Sequence, residues 1–234
     1  MNDNVTGNDS NLPRISRGRA AAWGILGVVL LLAMVWYWMY LRYAKEKVLQ
    51  EAEWTKLQKG LPPSGGKFFE KRLVIPVPVF AQSDPRWGAD ALGPSTTDTL
   101  SSAGCAVSSC AMILASYGVD TDPQRLNDWL NQNNGYTENA WLEWSVAAGL
   151  SPEKVKFVYE NDPSFHLIDS NLEAGNPVIV RLRYENGITH FVVVCGKEGL
   201  DYLIVDPGRR AKDGVYPLKE FGSKIEALRY YQKL

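Results

Sequence analysis

The longest apolar run in the chain, residues 20–41 (AAAWGILGVVLLLAMVWYWMYL), carries no charged side chain. At about 1.5 Å of rise per residue, a helix of that length crosses a hydrocarbon core of about 30 Å, so the run predicts a transmembrane span. A cleaved signal peptide fits less well: its apolar region runs about 7–15 residues and ends in small side chains, whereas this run ends in WYWMYLRYAKEK. Residues 43–59 then mix both charge signs with helix formers and few apolar positions, the pattern of a solvated stalk helix. Leu61-Pro-Pro-Ser-Gly-Gly breaks that pattern.

From residue 73 the periods change. LVIPVPVF has β-branched residues at strand spacing, but its two prolines confine it to a sheet edge. Residues 103–117 read as an apolar helix that stops at Tyr117-Gly118. Asp122 as N-cap and Pro123 at the first helical position open a second helix through Leu130. Residues 139–148 read as a third, with Trp141 and Trp144 three apart on one core-facing side. Residues 154–159 form a short strand, and 167–174 a helix ended by Gly175. The last third is sheet: strands at 177–184, 189–196 and 201–206, the first two joined by an Asn186-Gly187 hairpin turn. Helices first and antiparallel strands afterwards predict an α+β domain. The expected organisation is a tail at 1–19, an anchor at 20–41, a stalk helix and Pro/Gly linker at 42–72 and a globular domain at 73–234.

Charge changes this picture little. The 234 residues carry a formal net charge of −1, which implies no nucleic-acid partner. Across the anchor, Arg14, Arg17 and Arg19 face Arg42, Lys45 and Lys47, so the positive-inside rule nearly ties. The short tail with undiluted arginines favours a cytoplasmic N-terminus, a single-pass membrane protein and an extracytoplasmic globular domain. Three cysteines exclude a complete disulfide framework. No CxxC or HExxH spacing occurs, and a zinc site would consume nearly every thiol and imidazole, so no metal or other cofactor is expected.

The candidate chemistry starts in GCAVSSCAM. Cys105 opens the apolar helix, where the helix N-terminus and a nearby imidazolium favour the reactive thiolate. Cys110 lies about 140° further around that helix and reads as core. His190 begins a strand and Asp206 ends the next one, so an antiparallel pairing can bring imidazole and carboxylate together. Cys195, five residues after His190, points to the opposite face and reads as packing. Trp87 reads as packing and His166 as a solvated side chain.

In order, PVFAQSDPRW, GCAVSSCAM, THFVVVCG and VDPG resemble the papain-like domain of cysteine-peptidase family thirty-nine, the fold of bacteriocin-leader peptidases. The resemblance covers roughly residues 73–231. It implies a cysteine peptidase acting on a peptide or protein, with Cys105 as nucleophile, His190 as general base and acid, Asp206 as orienting carboxylate and Gln82 assisting the oxyanion hole. Transporter-linked leader peptidases commonly carry an acidic residue just before the Cys, where this chain has Gly104, and no ATP-binding cassette follows. The sequence thus looks closer to the stand-alone C39-like relatives. Two other functions keep the same residues: a papain-like binding module without turnover, and a cell-wall amidase or transpeptidase using the same thiol chemistry.

Overall fold

The computed structural model describes residues 17–57 and 60–234, with side chains for 26, 28–47 and 60–234. The chain divides between Gln58 and Lys59 into two compact units.

The first unit is one helix, α1 (Arg17–Leu57), which runs through the expected anchor and stalk without a break. Of the expected tail, residues 1–16 lie outside the described residues, as do the side chains of 20–25 and 27 in the expected anchor. Among the described residues no helix is long and apolar enough to cross a membrane. The side chains described within the apolar run, Leu26 and 28–41, are exposed.

The second unit begins earlier than its sequence pattern suggests. Strand β1 (Ser64–Val74) occupies most of what reads as linker, and pairs antiparallel with the later strand β4 (Thr189–Val205). Gly65 and Gly66, which look like breakers, instead let β1 start tight against helix α6 (Phe165–Glu173): a Cβ on Gly65 would lie 2.5 Å from Phe165 Cζ, and one on Gly66 2.3 Å from Asp169 Oδ2. Of the strand-like run after residue 73 only Leu73 and Val74 are strand, because Pro76 and Pro78 have no N–H for a ladder.

Four helices follow: α2 (Leu100–Ala103), α3 (Cys105–Ser116), α4 (Pro123–Gln132) and α5 (Trp144–Ala147). Thr99 and Ser102 cap α2 reciprocally, while Asp122 accepts from Arg125 N at the start of α4. The helix expected over 139–148 shrinks to α5 and a 3₁₀ turn, Ala148–Leu150. Ahead of it the chain loops between bridge partners Tyr136 and Leu142, with Ala140 at φ 58°. The Thr137 hydroxyl accepts from Trp141 N at 3.1 Å, a local bond that competes with the helical ladder.

The remaining elements are β2 (Val155–Asn161), α6 (Phe165–Glu173), β3 (Val178–Arg183), β4 (Thr189–Val205), β5 (Val215–Pro217) and β6 (Ala227–Lys233). They complete an antiparallel sheet of order β1-β4-β3-β6-β2, with β5 on β4. The run β4 holds two of the expected strands. His190 and Asp206 touch although 16 residues separate them, so the run doubles back, with Gly199 at φ 60° between its arms.

Both sheet faces are covered, which is why β3 and β4 read as continuous apolar runs rather than alternating ones. One face sets Ile179, Val193, Cys195, Val205 and Tyr231 against Val107, Cys110, Met112 and Leu114 of α3. The other sets Val178, Val180, Val192, Val194 and Ile204 against Ile168 and Leu172 of α6. Together these elements form the expected α+β arrangement, helices packed on an antiparallel sheet.

Candidate active site

Cys105 is the first residue of α3, half-exposed, and its position depends on Gly104. A Cβ at Gly104 would lie 2.4 Å from Leu100 O and 2.7 Å from Leu100 Cα, so α2 can stack on the start of α3 only with glycine between them. The acidic residue found here in transporter-linked leader peptidases would not fit this chain without moving α2. As the first helical residue, Cys105 has an N–H with no acceptor inside α3.

His190 and Asp206 are both buried and meet at 2.6 Å, Nε2 to Oδ1. Asp206 Oδ1 also accepts from Gly208 N at 2.6 Å, and its Oδ2 from the Tyr216 hydroxyl at 2.9 Å. Burial disfavours the Asp206 charge, but hydrogen bonds from His190, Gly208 and Tyr216 outweigh it and hold the carboxyl below its usual range. Burial likewise pulls on His190, yet hydrogen bonds to Asp206 and to Cys105 push the imidazole up to about 9. Since Nε2 faces the carboxylate, Nδ1 is the nitrogen left for the Cys105 thiol. The ring is held by Phe221, stacked at 5.8 Å between centroids, and Tyr184 at 5.0 Å. Gly208 leaves room for it: a Cβ there would stand 2.8 Å from His190 Cε1.

Gln82 reaches the same site from the other side. Its backbone N–H donates to Pro207 O at 2.8 Å, tying it to the residue after Asp206. Its Nε2 donates to Ser101 O at 2.8 Å, which leaves a second N–H on that nitrogen, and its Oε1 is buried without a partner. The preceding loop is shaped by Trp87, buried, with its indole N–H on Ala81 O at 2.9 Å.

All four side chains singled out in the sequence thus come to one place. Gln82, Cys105 and His190 line a cleft of about 1040 Å³, with Asp206 behind the imidazole. The other thiols are elsewhere. Cys110 is fully buried beside the Tyr231 hydroxyl at 3.2 Å and Cys195 beside Leu203 O at 3.6 Å; burial pushes each up to about 12. All three cysteines are free. His166 is exposed, as expected. Trp144 is core, but Trp141 is a correction: it is 71% exposed on the cleft rim, because the loop over 137–143 replaces the helix that would have turned it inward.

Among the described residues, no cluster of His, Cys, Asp and Glu could hold a metal ion. Sequence reasoning missed Tyr216, Tyr184 and Phe221, which lie far along the chain from any motif and reach the site only through β5 and the turns flanking the sheet. It also missed Arg181 and Arg229, which line the same cleft.

The family model described as the Peptidase_C39 like family matches residues 74–233. Among solved structures, a crystal structure of a candidate C39-like peptidase from Bacillus anthracis is 18% identical; the match covers 68% of this chain and 97% of that one, with a TM-score of 0.42. No curated protein matches the sequence.

Proposed function

The chain belongs to the Peptidase C39 like family, and on that premise we propose that it is a cysteine peptidase working through Cys105, His190 and Asp206, with Gln82 at the oxyanion. The observation that carries this reading is the buried His190–Asp206 pair, 2.6 Å apart, with Cys105 at the start of α3 lining the same cleft as the imidazole.

In this mechanism the Cys105 sulfur, its proton on His190 Nδ1, adds to the carbonyl carbon of a peptide bond. The negative oxygen accepts from the free N–H of Cys105 and from the second N–H of the Gln82 amide. His190 then gives its proton to the departing amine as the C–N bond breaks, leaving an acyl-enzyme. A water, deprotonated by His190, releases the acid and restores the thiol. Asp206 holds Nε2 protonated throughout and so keeps Nδ1 directed at sulfur.

The same reading places the domain on a membrane through residues 20–41, with the peptidase extracytoplasmic. It is supported by the uncharged run within α1 and by the exposure of its described apolar side chains. Alkaline phosphatase fused after Leu234 should be active; an inactive fusion beside an active β-galactosidase fusion reverses the orientation.

The deciding experiment incubates the full-length protein with a peptide library and reads products by mass spectrometry. Products should vanish in Cys105→Ala and in His190→Ala, and the double variant should be little worse than either, since the two act as one unit. Cleavage that survives Cys105→Ala would sink the mechanism.

A further inference from the structure

The sheet face beneath the cleft is apolar except at one corner. There Arg181 of β3 and Arg229 of β6 stand on neighbouring strands, two residues apart in register: Arg181 opposes Ala227, and Ile179 opposes Arg229. Arg181 also opposes Phe191, the residue after His190. Arg229 is only 8% exposed and lies over the rings of Trp144 and Phe191, each at 5.3 Å, which hold its guanidinium flat.

These cations are poorly matched by acids. Arg229 Nη2 donates to Glu160 Oε1 at 3.0 Å, while its Nε and Nη1 are buried without an acceptor. Glu226 is taken by Arg183, which donates to both its oxygens at 2.7 and 2.9 Å. Arg181 shares the same carboxylate as an ion pair, Nε 3.3 Å from Glu226, but that buried nitrogen has no hydrogen-bond acceptor. Glu143 and Asp98, also on the cleft wall, form no ion pair with either arginine among the described residues. Three guanidiniums therefore share two carboxylates. Burial and the neighbouring Arg181 charge both work against the Arg229 cation. A buried cation short of acceptors is costly, and a carboxylate from outside would repair the deficit with charge-assisted, forked hydrogen bonds.

We infer that Arg181 and Arg229 form a carboxylate subsite of the cleft, which takes an acidic side chain or the terminal carboxylate of the bound peptide. That the ligand is a peptide rests on the function proposed above. Arg181 and Arg229 line the same cleft as Cys105 and His190, so the carboxylate they take belongs to a peptide that also reaches the thiol.

The test uses the full-length protein in detergent with Cys105→Ala, so that no peptide is consumed, and a peptide pool selected by retention and read by mass spectrometry. The pool contains pairs differing only in Glu or Gln, each with a free or an amidated C-terminus. Acidic members should be retained about tenfold better than neutral ones, as one charge-assisted fork warrants. The Glu/Gln arm and the free/amidated arm tell the two sources of carboxylate apart.

Adding Arg181→Gln should bring the retention ratio to near one, with Arg181→Lys in between. Arg181 is one-third exposed, so the fold should survive; a thermal melt checks this, and Arg229→Gln provides a second route to the same loss. Equal retention of acidic and neutral members, including none of either, overturns the subsite, as does a preference that persists in Arg181→Gln. Hydrolysis of the same pool by the unmodified protein keeps the two readings separate. Cleavage without acidic preference sinks the subsite and leaves the peptidase. Acidic retention without Cys105-dependent cleavage does the reverse.

Discussion

Tyr216→Phe removes a single oxygen from the site and nothing else. The hydroxyl donates to Asp206 Oδ2 at 2.9 Å, while the ring stays packed in the second core and under Arg210, whose Cζ lies 3.6 Å from its centroid. Phenylalanine fills the same volume, so no cavity opens. What is lost is a hydrogen bond to a buried charge, about 1.5–3 kcal/mol, and Asp206 Oδ2 is left bare. In a unit of this size that lowers Tm by about 3–12 °C. Tyr216 is also one of the groups that hold the Asp206 carboxyl below its usual range, so its removal lets that carboxyl rise. The sign follows from linkage. A carboxyl with a depressed folded value stabilises above its unfolded value of 3.8 and loses that contribution as pH falls. The deficit of the variant should therefore be full near neutral pH and shrink below about pH 4, once both proteins have a protonated Asp206. Urea melts across pH measure it, and Cys105 alkylation on the same samples reports whether His190 keeps its place. A variant as stable as the parent at pH 7, or a deficit that grows on acidification, would refute the assignment of Tyr216 as the partner that keeps Asp206 ionised.

Lys197 is fully buried, with its ammonium on Asp169 Oδ1 at 2.6 Å and Gly65 O at 2.7 Å. Lys197→Met should cost about 3–5 kcal/mol by chemical denaturation, because it strands the Asp169 carboxylate, and adding Asp169→Asn should return part of it. Gly104→Asp should destabilise by about 1–3 kcal/mol, since the Cβ contact with Leu100 is with backbone and cannot rotate away, and should slow Cys105 alkylation in protein that still melts cooperatively. Cys110→Ala and Cys195→Ala should each cost about 1–2 kcal/mol and leave Cys105 alkylation unchanged. Loss of that reaction in either folded variant would mean that Cys105 is not the reactive thiol.

Local pattern was enough for much of this protein. Asp122-Pro123 declares a helix start because a cap and a fixed φ act within four residues, and Asn186-Gly187 declares a hairpin for the same reason. Cys105 could be separated from Cys110 and Cys195 by helix and strand periodicity alone, and the burial of the latter two agrees. His190 and Asp206 could be paired because an antiparallel reversal joins the ends of its two arms. Where a segment depends on distant partners, the pattern failed. β1 looks like a linker until β4 and α6 are there to receive its glycines. The loop over 137–143 has helix-compatible residues, and only the Tyr136–Leu142 bridge and the Thr137 hydroxyl decide against a helix and turn Trp141 onto the cleft. Gly104 is an ordinary glycine in sequence; the carbonyl of Leu100 makes it obligatory. Tyr216 and the Arg181–Arg229 corner carry no local signal at all, because a hydroxyl on a carboxylate or a cation short of an acceptor exists only once the sheet has set residues from separate strands side by side.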